Sequence, residues 1–431
     1  MSKFHLGWFL GPGITIQGWN EPGFAPGYDW TKPDIFVDAA RALERACFDV
    51  FILEDSSAVP YAYKGSMDFY LRHATMTPKF DPVMLTPYLI QATKHIGLAP
   101  TLTTTFYPPW LLARSLSTLD HFSSGRIAWN IVTATSDAAA QNYGLDKQIE
   151  HDMRYDMADE FVDCVSQLWD AWEPDAVVMD EANHTFIDPA KVKTVNFEGR
   201  FYKTRGPLNV PRSPQGRPVF VAPGGSPRGR QFAGRNAEIV LAGGETVEDM
   251  KGYRDDVLKH AAGLGRDPTK IKAMFTCVPT VVKSADEVED TKKALAAMRA
   301  KHLERGLAAM SFLSGIDFSK FDLDQPLPPD LTTNGHQSAL AKWIGKTPRS
   351  ILQSYTRKGG VDFTGTADHV AGMMQEIMEE VGGDGFLIFN SYFDRRYVIE
   401  VCDGLVPELQ RRGVTRKAYA HKHLMDNLRE F

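Results

Sequence analysis

The sequence predicts an α/β fold, a (β/α)8 TIM barrel formed by one domain over residues 1–431 that carries two insertions. Eight short apolar runs rich in β-branched and aromatic residues recur along the chain, and segments with helical periodicity separate them. Polar residues follow several of these runs, at the strand ends that meet on one face of such a barrel. An open, doubly wound sheet is the alternative architecture.

The apolar runs set the order of the predicted strands. In chain order they cover residues 4–10, 48–53, 96–104, 127–133, 219–222, 239–242, 274–282 and 386–390. Strands that alternate with helices pair in parallel through crossover connections, and eight such units are the number that closes this type of barrel.

Two intervals between predicted strands are much longer than a crossover helix needs. Loops in α/β units usually have about 2–6 residues, so residues 135–215 and 283–383 are predicted insertions. The second contains Gly315, the proline-rich stretch 326–329 and the polar run 332–335, which predict irregular and mobile backbone. It is a candidate lid over the barrel mouth. A surface excursion or an oligomer contact is the alternative.

The composition is that of a globular protein, with 43% hydrophobic and 24% charged residues. The net charge of -6 is spread along the chain, which argues against nucleic-acid and membrane partners and favours a small-molecule substrate. The four cysteines stand far apart without a CxxC pair, so we expect reduced thiols and no metal site. The sequence has no secretory signal and no apolar run of about 18 residues, which predicts a cytoplasmic location.

A glycine turn between the fifth predicted strand and the next helix has the features of a phosphate-binding turn. Ser226 is a good helix N-cap, and Pro227 suits the first helical position because no N–H is needed there. Gly225 lets the backbone come close to a ligand. Free N–H groups and the positive end of the helix dipole would face an anion, and Arg228 or Arg230 could add charge. An ordinary strand-to-helix turn is the alternative.

A helix is predicted to open at Glu150 and to continue through Leu168. His151 and Tyr155 lie four residues apart and share a face roughly opposite the apolar stripe of this helix. Imidazole and phenol groups there could donate hydrogen bonds to the phosphate and ribityl oxygens of a nucleotide. A solvated surface pair is the alternative.

Other candidate site residues stand at or beyond predicted strand ends. The polar ones are Glu54, Asp55, Thr101, Asn130, Ser226, Asn390 and Ser391. The aromatic ones include Phe9, Tyr61, Phe106, Tyr107 and Trp110, a candidate wall for an apolar substrate pocket, with ordinary packing as the alternative. Asp55 and His184 are possible proton-handling groups, and a structural role is the alternative for both.

The sequence lacks the GxGxxG, GxxxxGK[ST], GxSxG and HExxH motifs. A tightly held NAD(P)H site, a protein nucleophile and a catalytic metal are therefore not indicated, and no catalytic residue is assigned.

Several motifs in series resemble one known family. They are residues 117–126, STLDHFSSGR; 129–133, WNIVT; 150–155, EHDMRY; 206–207, GP; and 225–229, GSPRG. In this order they resemble the bacterial luciferase-like, two-component FMN-dependent monooxygenases. The resemblance is to the branch that holds nitrilotriacetate, EDTA, dibenzothiophene-sulfone and long-chain alkane monooxygenases.

The resemblance implies an FMNH2- and O2-dependent monooxygenase, a homodimer or homotetramer, that receives reduced flavin from a separate NAD(P)H:flavin reductase. Its substrate would be a small organic compound, here an aromatic or heteroaromatic one, as in xenobiotic degradation. Carried over to this sequence, the resemblance implies that Gly225, Ser226 and Tyr155 hold the FMN phosphate. The residues implied to line the ribityl chain and the isoalloxazine ring are Asp55, Thr101, Asn130 and His151.

Two other functions fit the same fold. One is a deazaflavin-dependent oxidoreductase. The other is a protein that binds or degrades a flavin.

Overall fold

The computed structural model describes residues 3–21, 24, 27–355, 360–389 and 392–431. Within these ranges, eight parallel strands form a closed barrel. They are β1 (His5–Leu10), β2 (Val50–Leu53), β3 (Gly97–Thr103), β4 (Ala128–Val132), β5 (Val219–Pro223), β6 (Ile239–Ala242), β7 (Lys272–Cys277) and β8 (Gly385–Phe389). The strands neighbour one another in chain order, and β1 closes the barrel by pairing with both β2 and β8. This confirms the predicted barrel and excludes the open sheet.

Helices surround the barrel and fill the insertions. In the described part of the chain they are α1 (Asp34–Arg45), α2 (Asp68–Arg72), α3 (Pro82–Ala92), α4 (Pro109–Ser123), α5 (Asp137–Asn142), α6 (His151–Trp169), α7 (Pro227–Asn236), α8 (Val247–Gly263), α9 (Val288–Lys301), α10 (Leu303–Ser314), α11 (Gln337–Trp343), α12 (Pro348–Tyr355), α13 (Ala367–Val381), α14 (Arg395–Ile399), α15 (Val406–Arg411) and α16 (Leu424–Leu428). A π-helical turn at Glu400–Leu405 joins α14 to α15. None of the helices in the described ranges combines the length and the apolar character needed to cross a bilayer.

The predicted seventh strand, residues 274–282, is wrong in its extent. The strand β7 ends at Cys277, and Thr280–Val282 forms a separate short strand that pairs with Thr364–Thr366 outside the barrel. Pro279 lies between the two and has no N–H to donate to a ladder, which accounts for the break.

Alternate residues of the strands fill the barrel interior. Val50 and Ile52 of β2 belong to a buried cluster with Val219 and Val221 of β5, while Phe51 packs with the surrounding helices. Gly7 pairs with both Leu387 and Val50 where the barrel closes. A Cβ on Gly7 would lie 2.5 Å from Leu387 Cδ2, so glycine makes room for the leucine.

Both insertions contain helices and strands. The first contains α5 and α6 and two antiparallel hairpins, Val177–Asp180 with Thr185–Ile187 and Phe197–Glu198 with Lys203–Thr204. A short antiparallel pair, Ile14–Thr15 with Lys79–Phe80, lies before α3.

The second insertion has a hydrophobic core of its own. This core includes Leu307 and Met310 of α10 and Leu340 and Trp343 of α11, and Tyr70 from the segment after β2 joins it. Residues 321–336, where the sequence predicts irregular backbone, contain no helix or strand.

A buried charge network lies at the end of the barrel opposite the C-terminal strand ends. Asp49 precedes β2 and contacts His5 Nδ1 at 3.1 Å and Arg416 Nη2 at 2.7 Å, and Arg416 Nη1 also contacts Glu430 at 2.6 Å. Burial raises the pKa of Asp49, but the charges of His5 and Arg416 outweigh it and the pKa falls below its ordinary value. The C-terminal segment is thereby held against the base of the barrel.

We expect Arg416→Met to lower the free energy of unfolding by about 3–5 kcal/mol, because it removes one of the two cationic partners of the buried Asp49 carboxylate. The lowered pKa of Asp49 stabilises the fold above the carboxyl's ordinary value of 3.8, and this contribution is lost as pH falls through the folded-state pKa. Chemical denaturation at pH 7 and in acid measures both effects. Arg396→Met removes an exposed pair with Glu400 and is the control. Equal losses in the two variants would contradict this account.

Candidate active site

A cavity of about 1890 Å3 opens at the C-terminal ends of the barrel strands. The predicted cofactor residues that line it are Asp55, Thr101, Asn130, His151, Tyr155, Gly225 and Ser226. Four different strands and the start of α6 supply them, so closure of the barrel brings together residues that are far apart in the chain. Asn390 and Ser391, also predicted at this rim, lie outside the described residues.

A buried amide forms part of the cavity wall. Asn130 of β4 is 2% exposed, and its Nδ2 donates a hydrogen bond of 2.7 Å to Thr101 Oγ1. The Thr101 hydroxyl in turn donates to the Leu53 carbonyl at 2.6 Å. Asn130 Oδ1 has no hydrogen-bond partner among the described residues. A buried acceptor without a donor costs about 1–3 kcal/mol, so this oxygen is suited to a donor from a bound ligand.

The glycine turn after β5 has the predicted helix start. Ser226 is the N-cap of α7, its hydroxyl accepts from Gly229 N at 3.1 Å, and Pro227 is the first helical residue. The Tyr155 hydroxyl lies beside this turn, because a Cβ on Gly229 would be 2.8 Å from Tyr155 Oη. Burial raises the pKa of Tyr155, and a hydrogen bond with Ser226 opposes that rise. Two hydroxyls and a helix N-terminus thus meet at one place on the cavity wall.

The start of α6 presents the predicted pair to the cavity. Glu150 caps the helix by accepting from Met153 N at 2.9 Å. The rings of His151 and Tyr155 lie 5.2 Å apart, and His151 Nδ1 is 2.7 Å from Asp152 Oδ1. His151 is buried, so the alternative of a solvated surface pair does not apply to it.

A carboxyl group that titrates near neutrality lies at the end of β2. Burial raises the pKa of Asp55 to about 7; Lys79 opposes this rise, and the charges of Glu54 and Asp81 add to it. Lys79 is itself bound to Glu54 at 2.6 Å and to Ser56 Oγ at 2.8 Å. The carboxyl of Asp55 can therefore hold or release a proton inside the cavity.

The cation expected at the turn is not Arg228. Its guanidinium binds Asp156 at 3.0 Å and Asp159 at 2.7 Å, and Arg228 does not line the cavity. Arg230 does line it, but Arg230 pairs with Asp256. Neutralised side chains of this kind add little net charge for a ligand.

Sequence reasoning missed Arg154, which lines the cavity and is 1% exposed. Nη1 donates to the Ile149 carbonyl and Nη2 to the Asn334 carbonyl, both at 2.8 Å. Arg154 stands three residues after His151, and residues at that spacing share a helix face. This spacing was the sequence signal that could have placed Arg154 near the predicted cofactor residues.

The aromatic candidates separate into two groups. Phe9 and Phe106 line the cavity together with Phe389, which the sequence did not single out. Tyr61, Tyr107 and Trp110 do not line it. Tyr61 borders a smaller surface pocket of about 580 Å3.

The other two aromatic residues are held elsewhere by packing. Trp110 Nε1 donates to the Pro207 carbonyl at 3.2 Å, and both Trp110 and Tyr107 pack against the core between barrel and helices. Burial raises the pKa of Tyr107 to about 12. His184 is exposed in the hairpin after Val177–Asp180 and is not part of the cavity.

Comparisons with known proteins identify enzymes of the same shape and sequence pattern. The model of a family described as luciferase-like monooxygenase matches residues 7–385. A dibenzothiophene-sulfone monooxygenase of Rhodococcus erythropolis is 34% identical over 412 residues, covering 93% of this chain and 90% of the relative. Nitrilotriacetate monooxygenase component A of Aminobacter aminovorans is 36% identical over 445 residues, covering 99% and 96%. A solved riboflavin lyase with modified FMN and riboflavin has a TM-score of 0.89 at 29% identity, covering 100% of this chain and 96% of that one.

Titration of Asp55 gives a prediction about stability. The pKa of its carboxyl rises from 3.8 to about 7 on folding, so ionised Asp55 disfavours the fold and this penalty grows as pH rises between these values. We expect the melting temperature of Asp55→Asn, relative to the unmodified protein, to be higher at pH 8 than at pH 5. Exposed Asp146→Asn is the matched control and should show no such trend. Parallel pH profiles for Asp55→Asn and the unmodified protein would contradict the shift.

Proposed function

Because this chain belongs to the luciferase-like monooxygenase family of flavin-dependent enzymes, we propose that it is an FMNH2- and O2-dependent monooxygenase of a small organic compound. Reduced FMN would come from a separate NAD(P)H:flavin reductase. The observation that carries the proposal is the cavity itself, which combines the helix N-terminus at Ser226 with a buried acceptor, Asn130 Oδ1, that has no partner within the described part of the chain.

The residues present fit FMN. The backbone of Gly225 and the hydroxyls of Ser226 and Tyr155 would hold its phosphate at the start of α7. His151 would donate to an oxygen of the ribityl chain or the phosphate. Asn130 Oδ1 would accept an N–H or O–H from the cofactor, and Thr101 would act indirectly, because its hydroxyl is engaged in orienting Asn130.

Reduced FMN supplies the electrons that allow O2 to place one oxygen atom in the substrate while the other leaves as water. The chain supplies orientation and exclusion of solvent. Phe9, Phe106 and Phe389 form an apolar part of the cavity, and Asp55 would hold or release a proton near neutral pH. The aromatic lining supports a flat aromatic or heteroaromatic substrate.

One feature of a relative and one of this chain's own surface support the proposed partners. The nitrilotriacetate enzyme is named as component A, which fits a system with a second protein. We also propose a homodimer or homotetramer. Met84 and Tyr88 of α3 are 68% and 56% exposed and are the kind of apolar surface that such an assembly covers.

Degradation of a flavin is a second candidate function. The riboflavin lyase structure covers the whole of this chain at a TM-score of 0.89, which is the observation that favours it. Loss of isoalloxazine absorbance from riboflavin, when reduced FMN and O2 are supplied, would identify this activity.

The phosphate seat, formed by the backbone of Gly225 and the hydroxyls of Ser226 and Tyr155, can be tested by measuring flavin binding. We expect Ser226→Ala combined with Tyr155→Phe to weaken anaerobic binding of reduced FMN by about 1–3 kcal/mol, the scale of lost hydrogen bonds to a charged group. Reduced riboflavin lacks the phosphate, so its affinity should change much less. Tyr88→Phe on the exposed face of α3 is the control. An unchanged preference for FMN in the double variant would remove this seat.

Oxygen uptake tests the activity. With a panel of aromatic, sulfone and aminopolycarboxylate compounds, we expect uptake coupled to product only when reduced FMN is present, whether added chemically or by a reductase. Labelled O2 should place one labelled atom in the product. Coupled turnover with NADH or NADPH alone, or with a reduced deazaflavin but not with FMNH2, would reject the proposed cofactor.

A further inference from the structure

Arg154, a buried arginine in the cavity wall, has an unusual set of partners. In the described part of the chain no carboxylate oxygen lies within 4.0 Å of the Arg154 guanidinium, whereas Arg228 and Arg230 both have such partners. Arg154 bonds only to backbone carbonyls, and its Nε has no partner among the described residues. A buried charge of this kind is strongly destabilising unless a counter-charge completes it.

Arg154 directly precedes Tyr155, whose hydroxyl lies beside the turn at Ser226. Arg154 and Tyr155 are consecutive at the start of α6, both line the cavity, and the charge of Arg154 lowers the pKa of Tyr155 against the effect of burial. An anion at the start of α7 would therefore add a negative charge near a guanidinium that, among the described residues, feels Glu150 and Asp137 but has no carboxylate within 4.0 Å.

The second insertion holds this arginine from the other side. The Asn334 carbonyl accepts from Arg154 Nη2 at 2.8 Å, and Asn334 Nδ2 donates to the Ile149 carbonyl at 3.0 Å. The same segment is tied to its own insertion, since His336 N donates to the Leu313 carbonyl at 3.0 Å. Residues 334–338 thus bridge α10 and the start of α6.

Another residue of this segment approaches the glycine turn itself. A Cβ on Gly225 would collide with Ser338 Oγ, so a larger residue at this position would require the Ser338 side chain to move. Ser338 also lines the cavity. The turn therefore has the barrel on one side and the insertion on the other.

We propose that Arg154 and residues 334–338 complete the phosphate seat, with Arg154 supplying the counter-charge and Ser338 a hydroxyl on the insertion side. The inference rests on the proposed function and deepens it. Its consequence is a coupling. A phosphate at the seat neutralises Arg154 and holds the 334–338 segment on the barrel, so binding of the cofactor and docking of the insertion favour each other.

Comparing the binding of reduced FMN and reduced riboflavin distinguishes a direct role of the Arg154 charge from a structural role of the side chain. We expect Arg154→Met to weaken reduced FMN binding roughly 10- to 100-fold, as for the loss of a charged hydrogen bond, and riboflavin binding less than about threefold. Arg349→Met is the control, because Arg349 also lines the cavity but is exposed and paired with Asp324. Equal weakening of both flavins, or an unchanged preference for FMN, would overturn the inference.

Hydrogen exchange tests the coupling first in the unmodified protein. Millimolar inorganic phosphate, compared with chloride at equal ionic strength, should slow exchange of residues 334–338 in the unmodified protein. Arg154→Met should abolish the effect, and Ser338→Ala should reduce it if Arg154→Met does not fold. Unchanged exchange in the unmodified protein would overturn the inference. Failure of the unmodified protein to bind either flavin would instead reject the proposed function. If the unmodified protein prefers FMN and Arg154→Met keeps that preference, only this inference is rejected.

Discussion

Closure of the parallel barrel is the constraint on which the rest of the structure depends. β1 bonds to both β2 and β8, so no strand edge is left and the eight C-terminal ends share one rim. That rim places the carboxyl of Asp55, the amide of Asn130 and the turn at Ser226 around one cavity. Parallel pairing of β2 through β5 makes these groups neighbours, and closure bends the rim so that β1 and β8 complete the cavity with Phe9 and Phe389.

Buried polar groups occur at both ends of the barrel. At the base, Asp49 and Arg416 are both 2% exposed and satisfy each other, and this arrangement stabilises the fold. At the rim, Asn130 Oδ1 and Arg154 Nε are buried without partners among the described residues. Unsatisfied groups lower stability, and these two line the cavity, so a ligand bound there could satisfy them.

The second insertion forms part of the cavity wall at the barrel rim. The second has its own core around Leu307 and Trp343, and it reaches the start of α6 through Asn334 and the glycine turn through Ser338. A packed element that touches the cavity at two points is suited to controlling solvent there. The expectation of a lid over the barrel mouth remains a prediction, now with defined contacts.

Features that depend on a few neighbouring residues were readable in the amino-acid order alone. The apolar runs predicted the barrel strands, and Ser226 and Pro227 predicted the start of α7, because caps and periodicity are local. Pro279 even carried the signal for the break after β7. The family resemblance extended this to the cofactor expected in the cavity.

Folding alone decided which side chains meet. Trp110 and Tyr107 could have faced the cavity, but packing between barrel and helices holds them elsewhere. Arg154 and Asn334 are 180 positions apart, and no local pattern relates two residues at that distance. Their contact depends on where the insertion docks, which is set by the burial of its apolar core.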